Sequence, residues 1–261
     1  MIVAWKKPAN AASPKSQIVR VGNVVFKMVY VEPGTFTMGA ISDEDYDERE
    51  HPSHKVTLTK GYYIGEAEVT QSLWETVMGN NPSESIGRNN PVDNVNWNDC
   101  QAFISILNSI TGGNFRLPTE AEWEFASKGG NLSKGYIYSG SNHADDVAWY
   151  IVNSGDTIQK DKIIIFTEDN NNRTHEVKSK KPNELGLYDM SGNVSEWCED
   201  GYAEYPSENL YDPKGVSTSK KRVKRGGDFK TRSRSCRNTH RYGSEPEFCI
   251  YSSGFRLVME E

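Results

Sequence analysis

Several features are scarce in this 261-residue sequence, and each scarcity removes a class of protein. No apolar run approaches the ~20 residues that cross a bilayer, so no helical membrane span is expected. Hydrophobic residues make up only 36 %, which argues against a helical bundle. There is no positive excess: the formal net charge is −6, which argues against nucleic-acid binding. Cysteine occurs four times, as Cys100, Cys198, Cys236 and Cys249, with no Cys-x-x-Cys pair. That argues against zinc, and the spacing does not resemble a small disulfide framework. Gly-x-Ser-x-Gly, a phosphate loop and His-Glu-x-x-His are all absent. His51 and His54 are spaced to allow a metal but lack a third ligand. No internal repeat and no dividing linker is found.

What is present is aromatic and turn-rich. Aromatics reach 11 %, and large rings fill a core when aliphatics are few. The 22 Gly and 11 Pro imply many turns. Residues 1–17 read as a flexible tail and 18–261 as a single domain. Strands are expected at Ile18–Val21, Val24–Val31, Thr35–Met38, Lys55–Leu58 and Tyr62–Ile64. Asp43–Glu50 reads as an acidic loop. Three short helices follow. The first opens on Thr70 and closes at Gly79. The second starts near Asn96 or Asn98, places Ala102, Phe103, Ile106, Leu107 and Ile110 on one face, and ends at Gly112. The third carries a capping box, Thr119 with Glu122, and stops at Gly129-Gly130. Beyond it, Tyr136–Tyr138, Val147–Val152 and Ile163–Phe166 are strand-like, and residues 155–173 read as a surface hairpin.

Seven runs resemble one family, in order and over roughly residues 24–258. They are Met28–Gly39, Glu68–Trp74, Asn90–Trp97, Arg116–Glu124 (Arg-Leu-Pro-Thr-Glu-Ala-Glu-Trp-Glu), Asn183–Trp197, Arg225-Gly226-Gly227 and Gly254-Phe255-Arg256. Together they are similar to the formylglycine-generating-enzyme, or sulfatase-modifying-factor, domain. The resemblance implies an α+β fold, a variant of the C-type lectin fold, with little regular structure and a small twisted antiparallel sheet.

The resemblance also implies a chemistry, and the sequence departs from it. Family enzymes oxidise a sulfatase cysteine with oxygen and copper(I), held by two cysteines five positions apart after Arg-Gly-Gly. Here the second position is Cys236 and the first is Thr231. A threonine hydroxyl is a hard neutral donor and does not replace a thiolate on a soft ion. Copper is therefore not expected. Cys249 lies thirteen positions past Cys236, and the resemblance, which puts both motifs in the family's C-terminal core, implies that Cys198 could meet Cys236 as a disulfide or as two packed thiols. Sulfoxide-forming members use a His-x3-His-x-Glu set in an additional helical domain, absent here.

Two binding features remain. Asp189, Gly192, Val194 and Glu196 match the family's calcium positions, by side chain at the outer pair and by carbonyl at the inner pair. Hard oxygens around a tight Gly192-Asn193 turn suit that ion, in a structural role. The C-terminal segment, with Asp228, Phe229, Thr231, Arg232, Arg234, Tyr242, Phe248 and Tyr251, corresponds to the exposed binding face of the lectin fold. The expected partner is a protein or small ligand. Variable proteins of diversity-generating retroelements diversify the same segment. Three readings follow: a non-catalytic binding scaffold, a divergent oxidase using Cys236 alone, or a diversified surface receptor. A signal segment ahead of residue 1 would place the chain in the periplasm, on the cell surface or outside the cell. Without one, the cytoplasm is expected.

Overall fold

The computed structural model describes residues 15–41, 47–157 and 170–261. Its elements run β1 (Ser16–Val21), β2 (Val24–Val31), β3 (Gly34–Met38), β4 (His54–Leu58), β5 (Tyr62–Gly65), α1 (Gln71–Met78), α2 (Trp97–Thr111), β6 (Phe115–Arg116) and α3 (Glu120–Ser127). Then come α4 (Ala144–Val147), β7 (Ser195–Gly201), β8 (Leu210–Tyr211), β9 (Arg222–Arg225), β10 (Arg241–Ser244), β11 (Ser253–Gly254) and β12 (Val258–Glu260). Among the described residues no helix is long and apolar enough to cross a membrane.

Among the described residues, three short sheets carry the α+β fold. One is antiparallel throughout, in the order β1-β2-β5-β12-β6. A second runs β10-β9-β7-β11, with β11 parallel to β7. The third runs β3-β4-β8, with β8 parallel to β4. The β1–β2 hairpin follows from a two-residue loop: Val21 pairs with Val24 across Gly22-Asn23.

The helix ends obey their caps. Thr70 Oγ1 accepts from Leu73 N at α1, and Asn96 with Asp99 forms a capping box at α2. Thr119 and Glu122 do the same at α3, all of whose residues are buried. Aromatics join the layers. Trp74 stacks on Phe103 at 5.2 Å, and Phe103 meets Phe255 edge-on at 5.3 Å, so α1, α2 and the C-terminal segment share one core. A second core gathers β3, β4, β5 and α3, with Leu187, Met190 and Cys198. A third, small cluster holds Ala144, Ala148, Tyr150 and Cys236.

The structure corrects several expectations. Strand β1 begins at Ser16, ahead of the expected Ile18; residues 1–14 lie outside the described residues. On α2 the buried line is Cys100, Phe103, Ile104 and Leu107, whereas Ala102, Ile106 and Ile110 are exposed. The helix is rotated because Phe103 must meet Trp74 and Phe255. Val147–Val152 is not a strand: α4 ends at Val147, and Trp149 makes one isolated bridge to Gly192. The ends of the 155–173 segment are joined, since Asp156 N donates to Asn170 O (2.9 Å) and Arg173 N to Ser154 O (3.3 Å). Its middle, with Ile163–Phe166, lies outside the described residues, as does the start of the acidic loop. Glu48–Glu50 forms a 3-10 turn.

Candidate functional site

The turn after β9 builds the position where a pair of thiols would sit. Gly226 and Gly227 have positive φ, of +90° and +66°. A Cβ at Gly227 would come within 2.7 Å of Ser235 O and 3.0 Å of Cys236 Sγ. The close fold-back therefore requires glycine. Thr231 then closes the loop: its Oγ1 donates to Asp228 O and accepts from Asp228 N, both at 2.9 Å. Cys236 Sγ lies 3.9 Å from Thr231 Oγ1. The cysteine is fully buried, and burial pushes its thiol up to about 12. It is held as a neutral thiol beside a hydroxyl already used in the turn.

No second thiol joins it. All four cysteines are free, and Cys198 packs in a different core from Cys236. The expected Cys198–Cys236 pairing is thus corrected: β7 carries Cys198 beneath α3, while Cys236 packs against the α4 segment. Cys249 is exposed, and its Sγ donates to Asn94 O (2.9 Å).

The sequence motifs meet instead as buried ion pairs. Glu124, the last residue of the Arg116–Glu124 run, pairs with Arg225, the first of Arg-Gly-Gly. Glu196 pairs with Arg256, the last of Gly-Phe-Arg, through two bonds of 2.6 Å. This bidentate geometry is the strong form of the contact. Trp123 links the two pairs, donating from Nε1 to Glu196 Oε2 (2.7 Å) beneath the Arg225 guanidinium, 5.3 Å from its ring. Around Glu124 the charges balance. Lys128 reaches it at 2.6 Å, and Arg241 grips Glu120 at 2.6 and 2.8 Å. Burial works against Glu124 ionising, yet Lys128 and Arg225 hold its carboxyl below the ordinary value. Sequence reasoning missed these pairings. The available signal was the Glu120/Glu124 spacing on one short helix together with two motif arginines.

The residues assigned to calcium lie beside the Arg256 pair. Gly192 has φ +79°, and a Cβ there would meet Trp149 O at 2.2 Å, so the tight turn needs glycine. Asp189 accepts from Lys178 N (2.7 Å) through Oδ2, while Oδ1 is buried without a hydrogen-bond partner. Burial raises Asp189 to about 6. Burial also raises Glu68, reinforced by Asp189 and Glu196, although Glu68 accepts from Val194 N (3.0 Å) and Asn193 Nδ2 (2.7 Å). Asp189 suits a cation; Glu196 has both oxygens engaged by Arg256 and Trp123. Among the described residues no group of three or more His, Cys, Asp or Glu side chains is arranged to hold a metal. Any such ion would therefore depend on backbone carbonyls.

The C-terminal segment is split between surface and interior. Phe248 and Tyr251 are exposed, as are Arg232 and Arg234. Thr231 and Tyr242 are half-buried, and Asp228 and Phe229 are buried. Asp228 supports the surface from below, accepting from Ser252 Oγ and Lys230 N at 2.9 Å each. Phe229 lies 6.4 Å from Tyr251, and Lys230 Nζ sits 4.0 Å above the Tyr251 ring. Beneath this patch Lys224 is fully buried, 4.2 Å above the Trp197 ring and bonded to Ser253. Burial lowers it to about 7.

Three short sheets, a few capped helices and ion pairs that join distant motifs define a C-type-lectin-like α+β scaffold. Residues 16–261 match the sulfatase-modifying factor enzyme 1-like domain, and the chain belongs to that family. Among curated relatives, the chaperone protein LppX of Paenibacillus barcinonensis is 40 % identical over 66 % of this chain and 70 % of its own length. The formylglycine-generating enzyme of Streptomyces coelicolor is 34 % identical over 67 % of this chain and 55 % of its own length. Among solved structures, Treponema denticola variable protein 1 superposes with a TM-score of 0.81 at 32 % identity, covering 95 % of this chain and 100 % of that one.

Proposed function

We propose that this chain is a non-catalytic member of its family that binds a protein or small ligand through the patch formed by Lys230, Phe248 and Tyr251. The observation that carries this reading is Cys236: a lone, sealed, protonated thiol beside Thr231. Copper(I) chemistry needs thiolates. The rival, an oxidase using Cys236 alone, lacks an accessible nucleophile. Exposed aromatic side chains next to a cation are what a binding surface requires. The name of the Paenibacillus relative, a chaperone, fits a protein-binding role.

Copper(I) titration and a Cys-x-Pro-x-Arg peptide assay test the reading. The wild-type chain is expected to show neither tight copper binding nor peptide oxidation, and Thr231→Cys to gain copper binding. Wild-type turnover matching that of formylglycine-generating enzymes would sink it.

A second reading is favoured by the likeness to variable protein 1: the patch belongs to a diversified segment. A reverse transcriptase and a near-identical template repeat beside the gene would support that reading, and their absence would remove it. Calcium is proposed as a structural ion held by Asp189 and the carbonyls of Gly192 and Val194. The unpartnered Asp189 oxygen supports it.

A further inference from the structure

A groove separate from the aromatic patch opens between β3, the end of α3 and residues 233–239. Its volume is about 760 Å³, within the range of small-molecule sites. The walls include Phe36, Tyr136 and Ile137. Ile137 is 51 % exposed and Ile41, at the edge, 78 %. Large aliphatic side chains left to water in a concave site mark a surface that something covers.

Among the described residues the charge lining this groove is mainly positive. Lys128, Arg234 and Arg237 line it, with Glu50 as the opposing acid. Lys128 is committed to Glu124, and Arg237 to Glu50. Arg234 forms no ion pair among the described residues, and Arg237 Nε is buried with no acceptor. Lys134 adds a further cation at the rim, 6.0 Å from the Tyr136 ring. An apolar wall thus faces one uncommitted guanidinium, that of Arg234.

We propose that this groove binds a small amphiphilic anion. Its acyl or aromatic body lies against Phe36, Tyr136 and Ile137. Its carboxylate, sulfonate or phosphate is received by Arg234, whose planar fork suits such groups. The site does not depend on how the Tyr251 patch functions.

Anilinonaphthalene sulfonate, which joins an aromatic body to an anion, is the probe. Its fluorescence titrated against the full chain is expected to report saturable binding. Arg234→Gln should weaken that binding about tenfold, as loss of a charged hydrogen bond would. Ile137→Asp should abolish it, and Ile110→Ser, on exposed α2 surface, should leave it unchanged. Circular dichroism checks that each variant is folded. Displacement by decanoate assigns an acyl body, and displacement by naphthoate alone an aromatic one. Absence of saturable binding, or binding untouched by both Arg234→Gln and Ile137→Asp, overturns the proposal.

Discussion

Glu124 and Glu196 are both fully buried carboxylates, but they live in opposite electrostatic settings. Glu124 and its neighbour Glu120 are met by Lys128, Arg225 and Arg241, so removing one cation leaves others in place. Glu196 shares Arg256 with Glu68 and Asp189, and burial has pushed both of those upward. The first centre is redundant, whereas the second depends on one guanidinium. A buried pair stabilises little by existing, but losing one partner strands the other.

The largest effect should come from breaking the dependent centre. Arg256→Met is expected to cost about 3–5 kcal/mol, by stranding Glu196. Lys128→Met should cost about 1–3 kcal/mol, since Arg225 still holds Glu124. Urea unfolding of both variants measures the contrast, and equal losses would erase it.

Lys224 sharpens the comparison from the other side, as a buried cation with no carboxylate in an ion pair among the described residues. Its folded-state pKa, about 7, lies below the ordinary lysine value of 10.5. The unfolded chain therefore holds this proton more tightly, and stability rises as the pH climbs from about 7. Lys224→Met should stabilise by up to about 4 kcal/mol. The gain should be greatest near about pH 6 and shrink toward about pH 10. Unfolding measured across that range checks both the sign and the slope.

Calcium should separate the two centres again. At a hundredfold excess over its dissociation constant it would add about 2.7 kcal/mol to wild type. It should add nothing to Asp189→Ala. A thermal shift that persists in that variant would place the ion elsewhere. Smallest of all, Tyr251→Ser should change stability by no more than about 0.5 kcal/mol, because its ring lies at the surface and outside both centres.

The elements legible in the sequence are those set by short-range chemistry. Thr70, Asn96 and Thr119 announce their helices because a cap is a contact made within three residues. The Gly22-Asn23 hairpin is similarly local. The exposed side of α2 was not legible, because helical period alone cannot choose whether Ile104 or Ile106 shares the buried face with Phe103 and Leu107. Distant rings made that choice. The ion pairs were hidden for the same reason: Glu124 and Arg225 are 101 positions apart, and Glu196 and Arg256 are 60 apart. Of the candidate site, Thr231 and Cys236 could be named in advance. The burial of Asp228 and Phe229, and the separation of Cys198 from Cys236, required the folded chain.

The pairs Glu124–Arg225 and Glu196–Arg256 also stand at the two ends of the C-terminal segment, and β11 fastens its far end to β7. The chain between these anchors works like cloth stretched on a frame. Its exposed positions, Arg232, Arg234, Phe248 and Tyr251 among them, take no part in either anchoring ion pair. Cutting either anchor would slacken the whole span, whereas a change at its surface stays confined to the place where it is made.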